Sequence, residues 1–197
     1  ITRIAGFTIG LQAYGAGSGF VYNTVNIGQL VNRIGVDLTG HTNGYVNQNL
    51  FLGGRFSVFT GYFPNQDRIG VRITSIDGSY TNHNNNTFVS PSFELNQADA
   101  GTGLATPIRL YHGLENTFLN IRDEGNGAYT LITTNASTRN FVSVGNLSGS
   151  GGGGLLDSSI YPDNELHLRR NQISSFPRDI FNTGNLVTNA CLYNGTT

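Results

Sequence analysis

Lysine, methionine and tryptophan are absent from this chain of 197 residues, and cysteine occurs once. The eleven basic residues are therefore all arginines, and the formal net charge is −1. With only 12% charged residues, the chain lacks the clustered basic face of a nucleic-acid-binding protein. No run of eighteen apolar residues occurs, which argues against a transmembrane helix. We predict partners other than nucleic acid or membrane, and no cofactor.

The chain is rich in glycine, with 27 residues, and in turn-forming asparagine, while phenylalanine and tyrosine are frequent. Apolar residues alternate with polar ones in short runs bounded by Gly, Asn, Asp or Pro, which is typical of half-buried β-strands. The runs are 3–9, 19–25, 33–38, 55–59, 68–76, 87–95, 107–112, 117–122, 128–134 and 140–144. We recognise no internal repeat of 20–50 residues. The pattern predicts an all-β protein, an elongated antiparallel β-sandwich of the jelly-roll or immunoglobulin-like type.

Two local patterns add detail to this prediction. NIRDEGNGAYTLI (120–132) is the clearest hairpin, because Asn126-Gly127 suits a type I′ turn between alternating strands. SIDGSYT (75–81) predicts a second hairpin. TVNIGQLVNRI (24–34) is the best helical candidate, although Gly28 weakens it.

No set of residues predicts catalysis or a metal site. The four histidines, which lie far apart in the sequence without neighbouring metal ligands, are His41, His83, His112 and His167. Cys191 lies in a strand-like run near the chain end, where a catalytic nucleophile would lack a positioned base. Asp123 and Glu124 are adjacent at a predicted hairpin tip, so on a strand they would point to opposite faces. We predict that the protein is not an enzyme.

The predicted connections combine aromatic rings with amides and carboxylates, as in GHTNGYVNQN (40–49), GYFPNQD (61–67) and SYTNHNNNT (79–87). Amides and carboxylates can bind sugar hydroxyls, while an aromatic ring covers the apolar face of a pyranose. The candidate stacking rings are Tyr45 and Tyr62. The candidate hydrogen-bonding residues are Asn47, Asn65, Asp67, Asn82, Asp123 and Asn126.

The lone cysteine suggests a missing partner, because an odd cysteine is unusual in an extracellular protein. NLVTNACLYNGTT (185–197) resembles the first strand of a chaperone–usher fimbrial pilin domain, and IGQLVNRIGVDLTG (27–40) and TPIRLYH (106–112) are similar to strands of fimbrial lectin domains. The resemblance implies a receptor-binding domain over residues 1–184, followed by a linker and the start of a truncated pilin domain over 185–197. It also implies a sandwich fold, no enzymatic activity, and pairing of Cys191 with a second cysteine further downstream.

Three functions follow from these observations, of which a β-sandwich carbohydrate enzyme with Asp123 and Glu124 as its carboxylates is the least supported. The first is a non-catalytic adhesin domain at the fimbrial tip on the bacterial surface, which binds a host glycan or glycoprotein through loops at one end of the sandwich. Pilus subunits and a periplasmic chaperone would then bind through the missing C-terminal domain. The alternative is a viral or phage structural protein, either a capsid jelly roll or a receptor-binding tail-fibre head.

Overall fold

The computed structural model describes residues 1–41, 43–58, 61–76, 83–127, 129–147, 154–160 and 163–168. These ranges contain eighteen short strands and one helical turn, α1 (Gln97–Ala100). The strands are β1 (Arg3–Ala5), β2 (Ile9–Gly15), β3 (Gly19–Val21), β4 (Thr24–Val31), β5 (Ile34–Gly40), β6 (Tyr45–Asn47), β7 (Leu50–Ser57), β8 (Arg68–Ser75), β9 (His83–Asn84), β10 (Thr87–Val89), β11 (Ser92–Glu94), β12 (Ala105–Leu110), β13 (Gly113–Leu114), β14 (Thr117–Asp123), β15 (Leu131–Asn135), β16 (Phe141–Leu147), β17 (Leu155–Ser159) and β18 (Glu165–Leu168). No helix in this part of the chain is long and apolar enough to cross a membrane.

The strands form a parallel β-solenoid of about six turns, so the predicted antiparallel β-sandwich, jelly-roll or immunoglobulin-like, is wrong. Sheet A has the order β1-β4-β7-β10-β14-β16-β18, with β11 also pairing with β7 and β14. Sheet B has the order β2-β5-β8-β12-β15-β17. Two short sheets, β3-β6 and β9-β13, form a third side. A typical coil therefore contributes one strand to sheet A, one to sheet B and a short strand to the third side.

The sandwich prediction failed because alternation reports which face of a strand is buried and carries no information about strand direction. Parallel strands are more often buried on both faces, which gives continuous apolar runs. Here the inner faces of sheets A and B share one core, while their outer faces carry mostly polar side chains. The alternation is therefore the same as in an antiparallel sandwich.

The coils constitute an internal repeat, contrary to the prediction that none of 20–50 residues exists. Thr24 pairs with Leu50, Leu50 with Thr87, Thr87 with Thr117, and Thr117 with Phe141. The coil length therefore varies from 24 to 37 residues. Because the insertions differ in length, the repeat has no fixed period in the sequence.

Apolar side chains stack along the solenoid axis inside the coils. The Phe51 and Phe88 rings are stacked with centroids 4.4 Å apart, and Phe88 stacks on Phe118 at 4.7 Å. All three are essentially buried, and Phe56 stacks on Phe93 at 5.0 Å in the same sheet. Equivalent positions in successive coils hold equivalent side chains, so the core continues from coil to coil.

An asparagine ladder forms the corner before sheet A. Each of its first five members donates its backbone N–H, at 2.9–3.2 Å, and its Nδ2, at 2.8–3.0 Å, to Oδ1 of the next. The members are Asn23, Asn49, Asn86, Asn116, Asn140 and Asn164. The residue before each of the first five has a positive φ of 53–57°. The ladder thus satisfies the polar groups of a tight turn that is repeated in every coil.

The other local predictions are also corrected. The hairpin at 120–132 does not form, because β14 belongs to sheet A and β15 to sheet B. The helical candidate at 24–34 is strand β4 followed by the start of β5. The second hairpin, at 75–81, and the predicted pilin strand at 185–197 lie wholly or mostly outside the described residues.

Candidate functional site

Three of the asparagines predicted to bind a ligand accept hydrogen bonds from backbone N–H groups. Oδ1 of Asn47 accepts a hydrogen bond from the N–H of Asn84 at 3.0 Å. Oδ1 of Asn126 accepts from the N–H of Gln97 at 2.6 Å, at the start of α1. Asn65 accepts from a backbone N–H in the same manner, at 3.4 Å. These side chains use acceptor capacity to hold connections in place.

The remaining predicted residues are dispersed. Tyr45 lies on the third side of the solenoid in β6, 40% exposed, and Tyr62 lies in the connection between β7 and β8, 54% exposed. Asn82 lies outside the described residues. Asp123 ends β14 and is buried, where it accepts hydrogen bonds from Thr130 Oγ1 at 2.7 Å and from the N–H of Gly125 at 3.1 Å. Burial raises the pKa of the Asp123 carboxyl despite these bonds.

Polar side chains converge on the outer face of sheet B. In each strand, inward and outward side chains alternate. Two side chains that are apolar or buried point inward, and the outward residue directly after the second of them carries a hydroxyl. We define the hydroxyl row as Tyr14, Thr39, Thr74, Tyr111, Thr134 and Ser158. We define the adjacent row, two residues earlier in each strand, as Gln12, Asp37, Arg72, Arg109, Ile132 and Leu156. Together these rows are called the sheet B face.

A hydrogen-bonded chain crosses three strands of the adjacent row. Arg72 donates from Nε and Nη2 to the two carboxylate oxygens of Asp37, at 2.8 Å each. Nε2 of Gln12 donates to the same carboxylate at 3.1 Å. The Asp37 side chain is fully buried, and its hydrogen bond raises the pKa of Arg72. This bidentate pair fixes the guanidinium plane and leaves Nη1 without a hydrogen bond among the described residues.

A second arginine pair adjoins the first. Nη1 of Arg109 donates to Asp67 Oδ2 and lies 3.3 Å from the Tyr111 hydroxyl. Burial alone would raise the pKa of Asp67, but the N–H of Leu104, at 2.8 Å, and the Arg109 guanidinium outweigh it and lower the pKa. Asp67 is therefore the one predicted site residue that joins the sheet B face. Its pairing makes the two arginines and two aspartates neutral in sum.

Hydroxyls in the row retain hydrogen-bonding capacity. Oγ1 of Thr39 and Oγ1 of Thr134 are buried and have no hydrogen-bond partner among the described residues. Buried polar atoms are ordinarily satisfied, so these two are exceptions. Thr134 as a residue is only half-buried, and a χ1 rotation would exchange its hydroxyl and methyl positions.

The described residues contain no group of three or more His, Cys, Asp or Glu side chains that could hold a metal ion. His83 and His112 are buried at separate positions of the corner, and Nδ1 of His83 accepts from the N–H of Val46 at 3.2 Å. Asp157 is also buried and accepts from Thr133 Oγ1 at 2.7 Å inside the coil. These groups are enclosed within the solenoid and do not converge on one site.

The sheet B face was missed because its repeat is short. Six segments share one pattern once they are aligned by coil. They are LQAY, VDLT, VRIT, IRLY, LITT and LLDS, at 11–14, 36–39, 71–74, 108–111, 131–134 and 155–158. A second shared feature is the ladder asparagine, followed two residues later by Val, Phe or Leu. Either pattern could have revealed the coils and the two rows. No protein-family model, curated protein or solved structure matches the chain.

Proposed function

We propose that the protein is a non-catalytic binding module, an adhesin-type domain that binds a glycan on the sheet B face. The observation that carries this proposal is the alignment of two tyrosines, four further hydroxyls and two paired arginines on one face. Hydroxyls both donate and accept, and tyrosine rings can cover the apolar face of a sugar. A rigid sheet holds such groups in place better than a loop does.

The titratable groups support binding rather than catalysis. A general acid working near neutral pH needs a raised pKa and access to the substrate. On the sheet B face, Asp67 has a lowered pKa, and Asp37 is held by Arg72. Asp123 has a raised pKa, but it is 2% exposed and hydrogen-bonded to Thr130 at the end of β14. The carboxylates therefore serve as positioning groups in this proposal.

The proposal includes an extracellular location for the protein. The location at a fimbrial tip stays a prediction. The resemblance to fimbrial adhesins implied a sandwich, and that fold is wrong. Its strongest segment, 185–197 with Cys191, lies outside the described residues. We therefore base the proposed glycan binding on the sheet B face alone, and the pilus and chaperone partners remain untested predictions.

A glycan array probed with the purified protein tests the proposal. We expect selective retention of a subset of glycans, and a roughly fivefold to tenfold loss of affinity in Tyr14→Ala, because that ring is 48% exposed on the sheet B face. Tyr45→Ala is the matched control, since Tyr45 is 40% exposed on the third side. Retention of no glycan would contradict the proposal, as would a loss confined to Tyr45→Ala.

A second candidate is the receptor-binding head of a viral or phage fibre, in which several copies pack side by side. Apolar residues on four adjacent strands of the sheet A outer face favour it: Leu50, Leu52, Val89, Leu119 and Phe141. Such a face is suited to lateral association of solenoids. Sedimentation equilibrium distinguishes the two candidates, because a stable trimer that dissociates in Leu119→Glu supports the fibre head, and a monomer at all concentrations contradicts it.

A further inference from the structure

We infer that the glycan is a linear, uncharged polymer that lies along the solenoid axis, with about one sugar ring per coil. This inference rests on the proposed function and specifies its ligand. The first step is that the hydroxyl row is unbroken over six coils. Its members occupy the same register position in β2, β5 and β8, and continue from β8 through the first residue after β12 to β15 and β17.

The second step is the spacing along the row. Neighbouring strands in a sheet lie about 4.8 Å apart, so the row from Tyr14 to Ser158 spans roughly 24 Å. One strand separation is close to the length of one pyranose ring in an extended β-linked chain. A linear polymer could therefore present equivalent hydroxyls to successive coils, whereas a single sugar could contact only one or two of them.

The third step is the charge of the face. Arg72 is paired with Asp37, and Arg109 is paired with Asp67, so neither cation needs an anionic ligand. Nη1 of Arg72 has no hydrogen-bond partner among the described residues and can donate to a neutral hydroxyl, whereas Nε of Arg109 also has no partner but is buried. An uncharged polymer matches this face, because an added carboxylate or sulfate would compete with two carboxylates already in place.

The unsatisfied threonine oxygens provide the fourth step. Thr39 is 3% exposed, and its Oγ1 has no hydrogen-bond partner in the part of the chain that the structure describes. Thr134, three coils further along the same row, has the same deficit. Thr134 is half-buried, so a χ1 rotation would turn its hydroxyl toward a ligand on the row, whereas Thr39 is too deeply buried for such a rotation to expose its hydroxyl.

The test is a length series of uncharged β-1,4-linked oligosaccharides of glucose, xylose and mannose, from one to six units, titrated calorimetrically against the full chain. We expect one series to gain affinity with each ring up to five or six units, by at least about thirtyfold in total, since each added hydrogen-bonded ring contributes a few-fold. Thr74→Val should weaken hexamer binding by about threefold to tenfold. Thr117→Val, on the outer face of sheet A, is the matched control and should bind normally.

Each other outcome is decisive. If a single sugar binds as tightly as the hexamer, the axial polymer is refuted while glycan binding stands. If the array shows retention only of sulfated or uronic-acid glycans, the inference of an uncharged ligand is refuted. Retention of no glycan at all would refute the proposed function itself. Thermal unfolding of each valine variant establishes that a loss of binding does not reflect a loss of fold.

Discussion

The asparagine ladder predicts a large and position-dependent loss of stability when one inner member is removed. Asn116 is fully buried, and its Oδ1 accepts from both the N–H and Nδ2 of Asn86, at 3.1 and 3.0 Å. Its Nδ2 donates to the carbonyls of His83 at 2.9 Å and Leu114 at 3.2 Å and to Oδ1 of Asn140 at 3.0 Å. The substitution Asn116→Ala removes all five bonds at once.

The magnitude follows from the groups that lose partners. The backbone N–H of Asn86 loses its acceptor, as does one hydrogen of its Nδ2, whose other hydrogen still donates to the Val46 carbonyl at 2.8 Å. Each buried N–H without an acceptor costs about 1–3 kcal/mol. We therefore expect Asn116→Ala to lower the free energy of unfolding by roughly 2–6 kcal/mol. The loss equals a large part of the whole stability of an ordinary domain.

Asn23→Ala is the control at the same position of the first coil. Asn23 donates to Asn49 and to the carbonyl of Val21, but its Oδ1 accepts no hydrogen bond from the described residues. Removing it orphans no donor, so we expect a cost of only about 1 kcal/mol. Asn26→Ala, at an exposed position of β4, should be within about 0.5 kcal/mol of wild type.

Urea unfolding measures these differences, with far-UV circular dichroism and tyrosine fluorescence as the two probes. Coincident transitions would justify a two-state free energy, whereas separate transitions would indicate that coils unfold one after another. If Asn116→Ala and Asn23→Ala cost the same, or if Asn116→Ala costs less than about 1 kcal/mol, the reasoning about orphaned donors is wrong.

Three further predictions concern the core, the buried carboxyl at the end of β14 and the sheet B face. Phe88→Ala should cost about 3–5 kcal/mol in urea unfolding, because it empties the middle of a three-ring stack, whereas the 61% exposed Phe7→Ala should cost little. Burial raises the pKa of Asp123 in the folded state. The stability that the protonated carboxyl contributes is therefore complete below the unfolded pKa of about 3.9, and it is lost as pH rises through the folded pKa. Asp123→Asn should therefore gain stability relative to wild type between pH 3 and 7, and an unchanged difference would contradict this. Arg72→Met should cost about 3 kcal/mol by leaving buried Asp37 unpaired, and added Asp37→Asn should recover most of it in the same assay, which a purely steric role would not explain.

Which residues form strands could be predicted from the sequence. Which strands pair with each other could not. The predicted runs at 68–76 and 117–122 begin at the first residues of β8 and β14, because alternation records burial directly. The described residues are nearly all β, although the predicted antiparallel sandwich is wrong. Strand direction depends on the connection between strands, and here that connection leads around a corner to another sheet. The hairpin prediction at Asn126-Gly127 failed for this reason. Asn126 lies in the connection between the two sheets, where its Oδ1 accepts a hydrogen bond from the N–H of Gln97.

The candidate site shows a similar limit. Asparagine-rich connections predicted ligand binding, and two of these connections, 40–49 and 79–87, contain the buried ladder members Asn49 and Asn86. Composition does not distinguish an amide that binds a ligand from one that binds backbone. The pairing of Asp67 with Arg109 could not be predicted either, because it joins residues 42 positions apart through a register that only the coil defines.

The most direct test of the central claim is a crystal structure of the protein with a bound linear glycan hexamer selected by the length series. We expect sugar rings along the sheet B face from Tyr14 toward Ser158, with a sugar hydroxyl within hydrogen-bonding distance of Arg72 Nη1. A glycan bound instead to the 40–49 or 61–67 connection, or to the outer face of sheet A, would contradict it.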